Sequence, residues 1–395
     1  MIYREHYLKK IRPFYEDDLI KIITGVRRCG KSVVMEQIME EIGNGTDNII
    51  YLNFEKTDIR RMIKNEEQLV DYINKNRKTG KCYVFLDEIH EVEGWNHACR
   101  SLRLDNISLF ITGSNSKLLS REYTKELSGR YVSFRIKPFV YKEIAEFSEE
   151  IGINTSIEDY ILYGGFPKAV EKKDIADKIA YLNDLDETIV FNDLMARYNI
   201  KNKELFRRLV DFCLISNARI FSANSIASYL KKEKIGGTPV TIMKYLGYLE
   251  EAYVINKIPR YSAKAKRELD FYVKIYNEDV AFNTIRCTDN RYDITHNFEN
   301  IIYNELVYMG YELQVYNIDG QEIDFLATGN GKKYYIQAAY SLAEEKAYNR
   351  EFGVFNKVDN LNQRIVISND NIDYSTSAVR HIKFRDFLLM ESLEG

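Results

Sequence analysis

Five short apolar runs, at residues 19–24, 48–54, 82–87, 107–112 and 131–136, recur along the first 150 residues with amphipathic stretches between them. Runs this brief and this uniformly hydrophobic read as strands buried on both faces, and strands that alternate with helical periodicity read as a mainly parallel sheet covered by helices. Behind the first run, Val33, Val34, Gln37, Ile38 and Ile42 follow the spacing of one helix face. The pattern predicts a three-layer α/β core over residues 1–150.

Beyond residue 150 the periodicity changes. Residues 155–199 are helix-rich, with Tyr181, Leu182, Leu185, Ile189 and Leu194 as the apolar positions, and predict a helical lid or connector over 151–200. Within it Gly164, Gly165, Phe166 and Pro167 predict the end of a helix and a change of direction. Over 201–260 two amphipathic pieces, 225–230 and 241–246, precede an apparent hairpin at Tyr253 to Ile255, an order that resembles a winged helix-turn-helix. Residues 261–395 return to mixed strands and helices and predict a further α/β domain.

Chemistry enters at the end of the first run. Gly25-Val26-Arg27-Arg28-Cys29-Gly30-Lys31-Ser32 has the full spacing of a phosphate-binding loop, followed by Val33 in the helix. The two glycines let the backbone turn tightly enough to aim successive N–H groups at phosphate oxygens, Lys31 supplies positive charge, and the Ser32 hydroxyl suits Mg²⁺. The third run, Cys82 to Leu86, ends in Asp87 and Glu88. Asp87 is read as the magnesium carboxylate and Glu88 as the group that polarises the attacking water. The fourth run ends in Gly113, Ser114 and Asn115, for which two readings stand: Asn115, with Ser114 as its rival, orients that water or senses the terminal phosphate, or the turn simply starts a helix over 117–127. Arg130 precedes the fifth run and also has two readings, a phosphate contact across a boundary between copies of the chain or a solvated surface residue.

The ordered set GVRRCGKS, YLNFE, FLDEIHEV, FITGSNSKLL and LSGRYVSFRIKPF resembles the AAA-like ATPases of bacteria and archaea whose C-terminal half belongs to the DUF4143 family, and the resemblance continues through Tyr163-Gly164-Gly165-Phe166-Pro167. It implies an AAA-like P-loop NTPase core, with Lys31 and Ser32 as Walker A residues, Asp87 and Glu88 as Walker B residues, Asn115 as the sensor and Arg130 as the arginine of a Gly-Arg pair before the last core strand. It implies ATP and Mg²⁺ as cofactors more than it implies a cellular task. Further on, Glu305, Asp324, Gln337 and Ala339 follow the order of a PD-(D/E)xK, restriction-endonuclease-like fold. Gln337 and Ala339 stand where a second carboxylate and a lysine are expected; an amide carries no charge and alanine no ammonium, so the fold is expected in a degenerate form that does not cleave DNA.

Composition narrows the rest. With 395 residues and 45% hydrophobic content, the chain can support two or three cores. A net charge of −3 does not exclude a polyanion, because Lys231, Lys232, Lys234, Lys244, Arg260, Lys264, Lys266 and Arg267 concentrate positive charge in and after the winged-helix-like region. Its partner is open between DNA and protein. The five cysteines, at 29, 82, 99, 213 and 287, have no metal-ligand spacing, the five histidines are scattered, and no secretory leader is recognisable, which together favour a reducing cytoplasm. No apolar stretch is long enough to insert in a membrane. The function expected is Mg²⁺-dependent ATP hydrolysis coupled to conformational change in a DNA- or protein-binding module, with homo-oligomer formation left open. The alternatives are a nucleotide-gated interaction protein without turnover and, after it, an active DNA nuclease.

Overall fold

The computed structural model describes residues 2–113, 127–233, 235–261, 272–287, 294–318, 321–358 and 361–394. Ser114, Asn115, the helix expected at 117–127, Lys234, Lys264, Lys266 and Arg267 lie outside the described residues, except for Leu127 at that helix's end. The chain forms two compact units, one of Met1–Pro138 with Glu251–Tyr253 and one of Phe139–Glu250 with Val254–Gly395.

In the first unit, β1 (Ile20–Thr24), β2 (Ile49–Asn53), β3 (Cys82–Asp87), β4 (Ile107–Thr112) and β5 (Tyr131–Arg135) make a five-stranded sheet in the order β2-β3-β4-β1-β5. Every pairing in it is parallel. The three inner strands are buried at every position, whereas the edge strand β2 alternates between buried and half-buried. That is why the inner runs are continuously apolar: helices cover both faces. Because β1 is flanked by β4 and β5, the carboxyl ends of β1, β3 and β4 lie side by side at one edge, the edge at which open α/β sheets collect ligands.

The second unit begins with helices Tyr141–Ile151, Ile157–Tyr163 and Ile175–Asp186, in which Tyr160, Ile161, Leu182 and Leu185 are buried. Next come helix Lys203–Ile215, β6 (Arg219–Ser222), helices Ala223–Lys232 and Pro239–Glu251, β7 (Ile255–Ile258), β8 (Arg260–Tyr261) and β9 (Tyr272–Asn277). Strands β6, β9 and β7 form a three-stranded antiparallel sheet in that order. Helix Ile294–Met309 leads to β10 (Glu312–Ile318), β11 (Gln321–Gly329), β12 (Lys332–Ala339), β13 (Gln363–Ser368) and β14 (Arg380–Lys383). With β8 these make a six-stranded mixed sheet, β14-β13-β12-β11-β10-β8.

Buried asparagines join these pieces. Asn300 Oδ1 accepts from Asn277 N at 2.7 Å and its Nδ2 donates to Asn277 O at 2.9 Å, so one side chain on helix Ile294–Met309 pairs with the end of β9 as a strand would. Asn217, Asn283 and Asn297 extend the network to the end of helix Lys203–Ile215 and to Ile161. The double glycine serves close approach: a Cβ on Gly165 would lie 1.8 Å from Phe139 O, whose own residue donates its N–H to Gly165 O at 2.8 Å.

Candidate functional site

The loop that follows β1 turns at Gly25, where φ is +142° and a Cβ would stand 2.1 Å from the Ile136 carbonyl oxygen. Only glycine fits there. Val26 and Cys29 are buried, Arg27 and Gly30 half-buried and Arg28 exposed. Helix Lys31–Gly43 starts at Gly30 with no side-chain cap, which leaves its first N–H groups for an anion and aims the positive end of the helix dipole at the loop. Lys31 is buried and arches back over the loop, its Nζ 3.2 Å from both Gly25 O and Val26 O. Ser32 is exposed in the first helical turn and Val33 half-buried behind it.

Asp87 closes β3 and is only 2% exposed. Its Oδ1 accepts from the Thr112 hydroxyl, and its Oδ2 from Asn53 Nδ2 at 3.2 Å and Tyr51 OH at 3.3 Å. Burial, with the nearby Asp87 charge, pushes the Tyr51 phenol up to about 12. Glu88 adopts the left-handed conformation, φ +55°, which costs a non-glycine residue energy and recurs at functional turns. Its N–H donates to Thr112 Oγ1 at 3.0 Å, and its carboxylate lies 3.2 Å from His90 Nδ1. Thr112 thus binds both acidic residues through one hydroxyl. Thr112, Asn53 and Tyr51 were not singled out from the sequence; the available signal was a polar residue at the end of a strand that neighbours β3.

Other expected residues fall elsewhere. Asn115 lies outside the described residues. Tyr131 pairs with Ile20 at the start of β1, so Arg130 stands at the sheet edge opposite its own chain's loop, its guanidinium donating to Ser128 O at 3.3 Å. Arg135 instead pairs with Thr24 at the loop's edge and stacks 4.6 Å over the Tyr253 ring. In the second unit Glu305 and Asp324 have different hydrogen-bond partners. Glu305 Oε1 accepts from Tyr141 N and Tyr160 OH, each at 3.2 Å. Asp324 accepts from Ala338 N at 2.9 Å, and its N–H donates to Gln337 Oε1 at 3.2 Å. Its charged partner is Lys274 of β9, whose Nζ lies 3.3 Å from Asp324, 2.7 Å from Glu299 and 2.8 Å from Glu322. Among the described residues no group of three His, Cys, Asp or Glu side chains is set to hold a metal ion. Ser32 and Asp87, the two oxygen donors expected for magnesium from the sequence, stand in the first turn of the helix after the loop and at the end of β3.

Residues 17–145 match the family model of an AAA domain, and residues 154–285 match a domain of unknown function, DUF8612. An uncharacterized protein of Haemophilus influenzae is 32% identical over 354 residues, covering 87% of this chain and 88% of the relative. One of Methanocaldococcus jannaschii is 30% identical over 373 residues, 89% of this chain and 82% of the relative. The Walker-type ATPase of Pyrococcus abyssi shares the fold at a TM-score of 0.51 and 16% identity, over 72% of this chain and 96% of that one. No helix among the described residues is long and apolar enough to cross a membrane. The α/β P-loop core expected from the sequence is therefore of the AAA type, and the chain belongs to one family with the Haemophilus and Methanocaldococcus proteins, built here from an AAA domain and a domain of unknown function.

Proposed function

We propose that the chain binds and hydrolyses ATP with Mg²⁺ and uses the cycle to change the state of a macromolecule-binding second region. The observation that supports this reading is the convergence of the phosphate loop, Asp87 and the Thr112 hydroxyl at the carboxyl edge of β1, β3 and β4. In it, the backbone of residues 25–30 and Lys31 hold the phosphates, while Ser32 and Asp87 hold the metal. Magnesium would offset the negative charge of the phosphate oxygens during transfer. Glu88 accepts the proton of the attacking water, and Thr112 fixes the strand ends that carry Asp87 and Glu88. Asn115 would orient that water or sense the terminal phosphate, and Arg130, after assembly of several copies, would add positive charge toward the phosphates. Purified protein is expected to release phosphate from ATP; Glu88→Gln should keep nucleotide and lose turnover by about a hundredfold or more, and Lys31→Ala should lose nucleotide. Equal turnover in Glu88→Gln and wild type removes Glu88 from the role, while bound but unhydrolysed ATP in wild type favours the nucleotide-gated interaction protein.

For the second region, helix Lys203–Ile215, β6, the two helices Ala223–Lys232 and Pro239–Glu251 and β7, with β9 from beyond residue 260 completing the sheet β6-β9-β7, support a winged-helix reading of 201–260. Lys231, Lys232 and Lys244 are exposed there and give a DNA phosphate backbone or an acidic protein its contacts. Residues 261–395 are proposed as the DUF4143-like, degenerate nuclease-like domain, with docking rather than cleavage as its task.

A further inference from the structure

The phosphate loop is held from behind as well as lined from within. Arg4, 1% exposed, sends its NH1 to Cys29 O at 3.1 Å and to Lys137 O at 2.8 Å. The arginine is itself fixed: its N–H donates to Gln37 Oε1 at 3.1 Å, on the helix that follows the loop, and its guanidinium lies 4.6 Å from the Tyr7 ring centroid. Gln37 also donates to Ile2 O at 2.7 Å, and Tyr7 OH accepts from Lys137 N at 3.1 Å. The start of the chain is thereby clipped to the loop's helix on one side and to the segment leaving β5 on the other.

A trans peptide is planar, and its carbonyl and N–H point in opposite directions. A cation that holds the Cys29 carbonyl therefore keeps the Gly30 N–H pointing the opposite way, away from Arg4 and free for an anion's oxygen. The peptide needs such a restraint because Gly30, at φ +101°, has wide backbone freedom. Without the guanidinium, the buried Cys29 carbonyl would lose a charged donor, and a flipped peptide would aim oxygen lone pairs at the phosphates. The same NH1 also holds Lys137 O, next to the Ile136 carbonyl on which Gly25 packs, so Arg4 links the Cys29 end of the loop to the segment that supports its Gly25 end.

We propose that Arg4 is the positioning residue of the phosphate loop: a buried guanidinium that sets the Cys29–Gly30 peptide for phosphate and ties the loop to the chain segment leading to Phe139. The inference rests on the nucleotide reading of the loop. ATP titrated into Glu88→Gln protein carrying Arg4→Met is expected to bind about tenfold more weakly at unchanged stoichiometry, the effect of losing hydrogen bonds from a charged donor. With Glu88 intact, the same substitution should raise the KM for ATP about tenfold and leave kcat within about twofold, since the loop holds ground and transition states alike. Arg4→Lys keeps the charge and should recover part of the affinity. A purely structural Arg4 predicts the reverse, fewer binding sites per chain with normal affinity in those that remain, and that result overturns the proposal. Should Arg4→Met not fold, Arg4→Lys decides: weaker ATP binding at full stoichiometry supports positioning, and unchanged affinity overturns it. Failure of the Arg4-intact protein to bind ATP overturns the nucleotide reading and this inference with it, whereas equal affinity with and without Arg4 overturns this inference alone.

Discussion

The Thr112 hydroxyl has one proton to donate and lone pairs to accept, and both are in use, toward Asp87 Oδ1 and from Glu88 N. Thr112→Val keeps the shape and the strand preference but removes both bonds, leaving a buried carboxylate without one donor and the strained Glu88 backbone without its acceptor. Phosphate release should fall about ten- to a hundredfold while ATP affinity stays within about twofold, and Thr112→Ser should restore most of the rate. Steady-state turnover beside equilibrium binding checks this; a Val variant as fast as wild type shows the hydroxyl to be idle. The contrast with Lys31 explains what was legible in the chain. A phosphate loop is a local device, so its residues sit at fixed sequence spacing, whereas Thr112 meets Asp87 from 25 residues away through the sheet. Arg130 and Arg135 illustrate the same limit, because both flank one predicted strand and only its parallel register with β1 decides which of them stands at the loop's edge.

Elements of the first unit were legible because burial on two faces leaves uninterrupted apolar runs, and each of the five expected runs holds a strand. In the second unit a network of buried asparagines stands beside the apolar core, and asparagine content carries no periodicity that announces it. Asn297, Asn300 and Asn304 lie on one face of helix Ile294–Met309, where they satisfy backbone groups of Ile161, Asn277 and Glu278. Truncating Asn300 strands the N–H of Asn277 and removes a partner of its carbonyl, both in a buried setting. Asn300→Ala is therefore expected to lower the stability of this unit by roughly 2–4 kcal/mol, at about 1–3 kcal/mol for each buried group left unsatisfied. A shift in the urea midpoint with an unchanged slope is the signature, and no shift would mean that water takes over the bonds. Gly164 and Gly165 were read correctly as ending a helix, which stops at Tyr163, but their close contacts with Asp279 and Phe139 depend on residues far away in sequence.

At the scale of the whole molecule, each unit buries an ionisable group whose titration is displaced, and the two displacements run in opposite directions. Lys21, on the buried strand β1 of the first unit's sheet, is pushed down to about 7 by burial, with the Lys81 charge adding to it. Asp324, in the second unit, is pushed up to about 7 by burial and then by the Glu299 charge, against the opposing pull of Lys274. An unfolded lysine titrates near about 10.4 and an unfolded aspartate near about 3.9. Between about pH 7 and 10.4 the unfolded first unit holds the Lys21 proton more firmly than the folded one, so this contribution to its stability rises with pH and is lost as pH falls through about 7. Between about pH 3.9 and 7 the folded second unit holds the Asp324 proton more firmly than the unfolded chain, so its contribution is full below about 3.9 and is lost as pH rises through about 7. Urea unfolding followed at pH 5, 7 and 9 should therefore show the second unit gaining stability on the acid side and the first on the alkaline side. Lys21→Met should flatten only the alkaline slope and Asp324→Asn only the acid one. Substitutions that shift both slopes together would show that the two units unfold as one, and slopes left intact would show that neither group governs the profile.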